Sequence, residues 1–149
     1  MINKIDILQK RWIRNVSLKS FKAHTEPLFK NLGILKLSDK LSYCQSLFMH
    51  KYRNNKLPNS FSNIFTDVIN TEEMQTRDND YNYQIIPAIK RSLENFPYKK
   101  ILSNWNSLDI DLKSTAEEDE FQQMLKQKFL SQYSCDTNCI GPCFSCDNW

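Results

Sequence analysis

The chain has 149 residues, of which 40% are hydrophobic and 25% charged, and its net charge is +3. This length and composition fit one hydrophobic core of ordinary size. No apolar run reaches the roughly 18 residues of a membrane span, and the charged start MINKIDILQKRW is unlike a secretory signal, so we expect an intracellular protein, nuclear or cytoplasmic, without a membrane partner. With only two glycines, Gly33 and Gly141, the chain lacks glycine-rich phosphate loops.

The small net charge conceals an uneven distribution. Residues 1–60 carry twelve Lys and Arg against three Asp and Glu, a balance of +9, whereas the remainder carries eight against fourteen, a balance of −6. A basic half interleaved with aromatic residues is typical of a surface that follows a phosphate backbone, because each neutralised phosphate releases condensed counterions. Amphipathic helices with ordinary solvated lysines produce the same composition, so both interpretations stay open.

The first predicted element is an amphipathic helix. Four apolar residues recur at spacings of three and four and are expected to form its buried stripe: Ile5, Leu8, Trp12 and Val16. Arg11 and Arg14 then share the wetter side of this helix. We expect Trp12, like Trp105 later in the chain, to be a core residue, because both fall on apolar stripes. Neither is then expected to stack on a base, since base stacking needs an exposed ring.

A short helix is predicted next. Thr25 is a suitable N-cap, an acid and a proline follow in the first turn, and Gly33 is placed to end the helix. His24 then lies just outside the cap, where we expect a surface histidine and not a reacting group.

A longer helix should begin near Ser38 and end within RNNKLP, whose asparagines and proline are stop signals. Its buried face is expected to contain one residue per turn: Leu41, Cys44, Phe48 and Tyr52. His50 would lie on the far side of this helix, again as a surface residue or one that supports a reacting group, and not as a ligand.

Residues 66–96 have no sustained hydrophobic period and include the acidic, Asn-rich RDNDYNY, which indicates a long irregular loop with at most a short strand at YQIIP. Helical spacing returns in PYKKILSNWNSL and in STAEEDEFQQMLKQKFLSQY, where Thr115 and Glu118 have the spacing of a capping box. Asp109 and Asp111, in LDIDL between these two patterns, are interpreted as part of a linker. The last helix is expected to bury one stripe: Phe121, Met124, Leu125 and Phe129.

The C-terminal tail is rich in cysteine. Four thiols lie within twelve residues: Cys135, Cys139, Cys143 and Cys146. Four thiolates could close a tetrahedral structural zinc site, which makes zinc a candidate cofactor. Such sites usually separate two Cys pairs by a longer loop, so a redox-labile or unstructured tail is the alternative.

Together these elements predict a mainly α fold, a small helical bundle with a long irregular central loop and a Cys-rich C-terminal tail. Its parts are a basic helical segment (1–65), the irregular loop (66–96), a C-terminal helical segment (97–133) and the tail (134–149). No nucleophile stands beside a base, and the acidic run EEDE at 117–120 complements a helix dipole. We therefore expect no enzymatic activity from this chain by itself.

The order of the segments carries a further indication. LQKRWIRNV, AHTEPLFKNLGILKL, KLSYCQSLFMHKYRNNKLPNSF, LSNWNSLDIDLKST and EFQQMLKQKFLSQY follow one another within residues 5–133. In this combination they resemble the C-terminal, post-palm region of reverse transcriptases from jockey-like non-LTR retrotransposons. The resemblance implies a helical segment at and beyond the thumb, contact with RNA or DNA, and an upstream reverse-transcriptase domain as a partner.

The resemblance does not extend to the catalytic motif. A polymerase palm holds two metal ions through aspartates, usually in a Y/F-x-D-D turn, and this chain has no such turn. It implies a non-catalytic fragment of an RNA-directed DNA polymerase that binds or positions nucleic acid. Five cations are the expected phosphate contacts: Lys10, Arg11, Arg14, Lys19 and Lys22.

Two other classes of protein stay open. One is a small protein-interaction module in which the acidic half masks the basic half, so that high salt would loosen the fold. The other is a zinc-stabilised module whose tail is the functional element, which a chelator would melt or detach.

Overall fold

A computed structural model of the chain describes residues 2–61, 64–65, 81–83, 85 and 97–133. These residues form helices and irregular segments but no strand, so the chain is mainly α, as the sequence predicts. The first helices are α1 (Ile2–Val16), α2 (Glu26–Asn31) and α3 (Leu37–Arg53), followed by a 3-10 turn at Asn59–Phe61. The others are α4 (Pro97–Asn106), α5 (Ile110–Ser114) and α6 (Glu118–Ser131). Most of the predicted loop, including most of YQIIP, and the whole Cys-rich tail lie outside the described residues.

The chain divides into two compact units. The first unit comprises Met1–Leu41 and Leu125–Trp149, and the second unit comprises Ser42–Met124. Among the described residues, the core of the first unit contains Ile13, Leu28, Phe29, Leu35, Leu125 and Tyr133. The core of the second unit contains Tyr43, Met49, Phe65, Tyr83, Leu102, Trp105, Leu108, Leu112 and Phe121.

Two side chains of the first unit secure the backbone where α3 begins. The Gln9 side-chain oxygen accepts a hydrogen bond from the Leu37 N–H at 3.0 Å. The Tyr133 hydroxyl accepts one from the Lys36 N–H at 2.9 Å and donates to the Asp39 carboxylate. The first N–H groups of a helix have no partner inside it, so these contacts satisfy donors that would otherwise be unpaired. Burial and the bond to Asp39 raise the pKa of Tyr133, which therefore stays protonated.

Three helices end with the same backbone motif. Two positions beyond α1, α2 and α3 lie residues with positive φ, namely Leu18 (53°), Gly33 (61°) and Asn55 (53°). At each end, the N–H of this residue bonds to a carbonyl three positions back, and the next N–H bonds to one five positions back. This is the Schellman motif, in which glycine or asparagine is usual. Leu18 is the exception: a β-carbon costs about 1–2 kcal/mol in this conformation, and leucine lacks the polar side-chain group whose local hydrogen bonds offset that cost in asparagine.

Replacing Leu18 by glycine should therefore stabilise the chain by about 1 kcal/mol. The leucine side chain is 93% exposed, so the substitution relieves strain and removes little packing. Urea unfolding measures the difference. The converse substitution, Gly33→Ala, should destabilise by a similar amount, since a β-carbon there would meet only the Lys126 Nζ atom, at 3.8 Å, and the cost is conformational. Equal stability of Leu18→Gly and the wild type would show that Leu18 is unstrained.

In the second unit, the WNSL sequence ties α4 to the irregular segment 81–83. Trp105 is fully buried, as predicted, and its Nε1–H donates to the Tyr81 carbonyl at 2.8 Å. The Asn106 amide pairs with the backbone of Tyr83, accepting from its N–H at 3.1 Å and donating to its carbonyl at 2.9 Å. A segment with no helix or strand of its own needs such partners for its backbone groups. The two side chains thus have a structural role.

Aromatic rings surround Phe65 in the same unit. The Tyr98 ring stacks on it with centroids 5.9 Å apart, and the Tyr52 ring meets it edge-on at 4.9 Å. Phe48 and Tyr83 add further edge-on contacts at 6.4 and 6.0 Å. Offset and edge-to-face pairs are favourable beyond their buried area, so this cluster stabilises the end of α3 against its neighbours within the unit.

The apolar stripe predicted for α1 is not buried, and Trp12 is not a core residue. The four residues of the stripe are 45% to 60% exposed: Ile5, Leu8, Trp12 and Val16. The inward side instead contains Ile13, which is fully buried, and Gln9, whose amide bonds to the backbone around the start of α3. Hydrophobic periodicity predicts the wrong inward face for α1, because that face contains Gln9, a polar residue that is held there by hydrogen bonds.

The buried face predicted for α3 is also wrong. Leu41 and Cys44 are exposed, and Phe48 and Tyr52 are only half-buried. The buried positions are displaced around the helix: Tyr43, Ser46, Met49 and His50. Two of these four are polar, and hydrophobicity alone could not select them.

Two predictions near the last helices need correction. Asp109 and Asp111, interpreted as part of a linker, lie at the N-cap and in the first turn of the short helix α5. Helix α6 begins at Glu118, so Thr115 does not cap it. The Thr115 hydroxyl instead donates to the Asp111 carbonyl at 3.0 Å, closing the end of α5. The Glu117 carbonyl, which accepts a hydrogen bond from the Phe121 N–H at 3.0 Å, is the N-cap carbonyl of α6, so Thr115 lies two residues before the N-cap.

Candidate nucleic-acid interface

The Schellman turn after α1 directs the chain back alongside the helix. The Lys19 N–H bonds to the Arg14 carbonyl at 3.0 Å, and the Arg14 Nε–H donates to the Ala23 carbonyl at 2.9 Å. The Arg14 guanidinium lies over the Phe21 ring, 5.6 Å from its centroid. These contacts fix the loop 18–23 beside the last turn of α1.

An open pocket of about 340 Å³ lies between α1 and this loop. It is lined by Arg11, Arg14, Asn15, Lys19 and Phe21. Three of the five predicted phosphate contacts, Arg11, Arg14 and Lys19, therefore line one cavity. Phe21 adds an aromatic ring that is 73% exposed. We call this cavity the basic pocket.

Lys10 and Lys22 are exposed and do not line the basic pocket. Lys10 lies one helical turn before Arg14 on α1, and Lys22 follows Phe21 in the loop. Sequence reasoning did not select Asn15 or Phe21 as site residues. The sequence does contain a signal that Phe21 is exposed. Phe21 is the single Phe, Tyr or Trp within the polar stretch LKSFKAHT, which has no helical apolar stripe that would bury it.

The cations of this surface are not neutralised by described acids. The salt bridges in the described part of the chain join Lys36 to Glu26 and Lys51 to Glu118. Neither includes any of the five predicted phosphate contacts. A cation without an acidic partner can bind a phosphate without first breaking an ion pair.

The two histidines differ in environment. His24 is exposed and precedes the N-cap Thr25, as predicted, although the Thr25 hydroxyl makes no capping hydrogen bond. His50 is buried, contrary to prediction, with Nε2 2.8 Å from the Thr115 carbonyl and its ring stacked on Phe121 at 4.2 Å. Burial lowers the pKa of His50, against the effect of the Thr115 carbonyl. The role of His50 is therefore to satisfy a carbonyl within the core.

The zinc prediction lies outside the described residues, because all four tail cysteines, Cys135, Cys139, Cys143 and Cys146, are located there. Within the described ranges, no three His, Cys, Asp or Glu side chains are grouped so that they could hold a metal ion. The one described cysteine, Cys44, is exposed and has a free thiol. Zinc binding stays a prediction from the sequence.

None of the described helices combines the length and hydrophobicity that crossing a membrane requires. Comparison with models of known protein families, with curated proteins and with solved structures gave no match. The resemblance to retrotransposon reverse transcriptases therefore rests on the sequence segments quoted above.

Proposed function

We propose that this chain is a non-catalytic C-terminal part of a retrotransposon-type reverse transcriptase and that it contacts nucleic acid through the basic pocket. One observation carries the nucleic-acid role: Arg11, Arg14 and Lys19 converge on one open pocket without an acidic partner among the described residues. Lys10 and Lys22 extend the positive surface beside it. An upstream reverse-transcriptase domain is the protein partner that this proposal implies.

The residues behind the family resemblance support the proposal in a different way. In LGIL and RNN, Gly33 and Asn55 supply the positive φ that ends two helices. In WNSL, Trp105 and Asn106 hold segment 81–83. A related chain with the same residues at these positions would share these local structures. The basic pocket, from α1 and the loop after it, supplies the phosphate contacts.

Replacing both Arg11 and Arg14 with alanine should weaken binding to nucleic acid about equally for all sequences. Log K falls as log salt rises, and each lost phosphate contact makes this slope shallower, by about 0.9 for duplex DNA and about 0.7 for a single strand. The measurement is a salt titration of binding to a labelled RNA hairpin and a DNA duplex, followed by fluorescence anisotropy.

The matched control is the double variant Lys99→Ala with Lys100→Ala. It removes the same amount of charge from α4, outside the basic pocket. Its salt slope should equal that of the wild type. If both double variants lower the slope equally, the charge acts without a defined site and the assignment of the pocket fails. If the wild type binds neither probe at low salt, the nucleic-acid role itself fails.

A further inference from the structure

The exposure of Phe21 is unusual for a large aromatic side chain. Phenylalanine commonly buries its ring, yet 73% of this residue is accessible. The Arg14 guanidinium lies over the ring at 5.6 Å, and the remaining surface faces the basic pocket and solvent. Most of the ring is therefore available to a ligand.

The loop that carries this ring is held by specific contacts. Leu18 takes a positive φ of 53° to close the Schellman turn, although leucine is strained in that conformation. The Ala23 N–H bonds to the Ser20 carbonyl at 2.9 Å, and the Ala23 carbonyl accepts from Arg14 at 2.9 Å. Backbone strain retained beside a concave, charged surface is an indication of function. Here it fixes the ring beside three cations.

A ring among cations matches the requirements of single-stranded nucleic acid. Proteins that bind single strands combine a positive groove for the backbone with aromatic side chains on which bases stack. In a duplex the base faces are covered by neighbouring base pairs, so an aromatic side chain can stack only on a base that has left the helix. The basic pocket also has a volume within the range that encloses small organic groups, which suits one nucleotide.

We propose that the basic pocket takes single-stranded RNA or DNA, with a base stacked on Phe21 and the adjoining phosphates bound by Arg11, Arg14 and Lys19. This inference rests on the proposed function and specifies the form of nucleic acid that the same site binds. Asn15 also lines the pocket and supplies a side-chain amide, a group that can hydrogen-bond to a base edge.

The test uses the full chain and three probes. They are a labelled oligo(U) of about 12 nucleotides, a DNA duplex of similar length, and heparin, which is a polyanion without bases. We expect the wild type to bind oligo(U) more tightly than the duplex. Phe21→Ala should weaken oligo(U) binding about 5- to 150-fold, the range for loss of one stacked base, and should leave duplex and heparin binding nearly unchanged.

Two matched variants separate stacking from general apolar contact. Phe21→Tyr keeps an aromatic face and should retain oligo(U) binding, whereas Phe21→Leu keeps apolar bulk and should bind as weakly as the alanine variant. Leu41→Ala removes an exposed apolar side chain from α3, outside the basic pocket, and should have no effect.

The outcomes distinguish this inference from the proposed function. Duplex binding as tight as oligo(U) binding, or an equal loss of heparin affinity in Phe21→Ala, would overturn the single-strand inference and leave a general phosphate-binding surface. Absence of binding to both oligo(U) and duplex at low salt would overturn the proposed function as well.

Discussion

Replacing Trp105 by alanine should lower the free energy of unfolding by about 3–5 kcal/mol. The side chain is fully buried, and its ring lies 6.2 Å from that of Phe121, so truncation leaves a cavity in the core of the second unit. The Tyr81 carbonyl would also lose the indole N–H that now donates to it at 2.8 Å. A partly buried carbonyl that loses its partner adds to the cost. Urea unfolding followed by far-ultraviolet circular dichroism measures the change.

Trp12 provides the matched control. Trp12→Ala removes the same side chain from an exposed position, where 50% of the residue is accessible, and should change stability by only about 0.5 kcal/mol. Trp105→Phe should fall between the two, since it keeps most of the apolar volume but loses part of the ring and the hydrogen bond. Losses of equal size for Trp105→Ala and Trp12→Ala would contradict the burial that separates these two tryptophans.

The ends of α2 and α3 could be predicted because their signals are local. Thr25 before α2, Gly33 after it and the asparagines after α3 lie within one or two residues of the helix ends observed. Each acts through its own φ angle or through hydrogen bonds to its neighbours along the chain. Such signals need no knowledge of the tertiary fold.

The inward faces of α1 and α3 could not be predicted because they depend on contacts distant in sequence. Gln9 bonds to backbone 26 and 28 residues away, and the Tyr133 hydroxyl bonds to an N–H 97 residues earlier. Hydrophobic periodicity gives weight only to apolar residues. It therefore predicts that the stripe containing Trp12 faces inwards, and it overlooks Gln9, the polar residue that does face inwards.

The candidate site was predictable in part for a related reason. Charge density alone selects the cations of α1 and the following loop. Which of them converge is determined by the turn at Leu18, a residue whose type argues against the positive φ that it adopts. Phe21 joins the cations only because that turn is made. The pocket is thus a consequence of one strained residue, and no rule of residue preference would have placed it there.

A second large effect is expected from His50, whose burial makes the stability of the second unit dependent on pH. Burial lowers the pKa of His50 in the folded chain, Lys51 and Lys56 act in the same direction, and the Thr115 carbonyl and Glu118 oppose it. In the unfolded chain the pKa returns to about 6.5, so the unfolded state binds more protons near that pH. Stability is therefore complete above about pH 6.5, falls as the pH falls below it, and levels off beneath the folded pKa.

His50→Gln should remove this pH dependence between about pH 7 and 5, the interval around the ordinary histidine pKa. The variant should also be about 1–3 kcal/mol less stable at pH 7, because the Thr115 carbonyl loses its present partner. His24→Gln is the matched control, since His24 is exposed, and it should keep the wild-type profile. Urea unfolding at intervals of pH gives all three curves.

Glu118 does not contribute to the pH dependence of stability between about pH 7 and 5. Its hydrogen bond to Lys51 lowers the pKa of Glu118 below the ordinary value of 4.5, so its own contribution is lost only at more acidic pH. A wild-type profile that is flat from pH 7 to 5, or one that becomes flat in His24→Gln, would contradict the role given to His50. A profile that becomes flat only in His50→Gln would assign the pH dependence to the one imidazole that the core encloses.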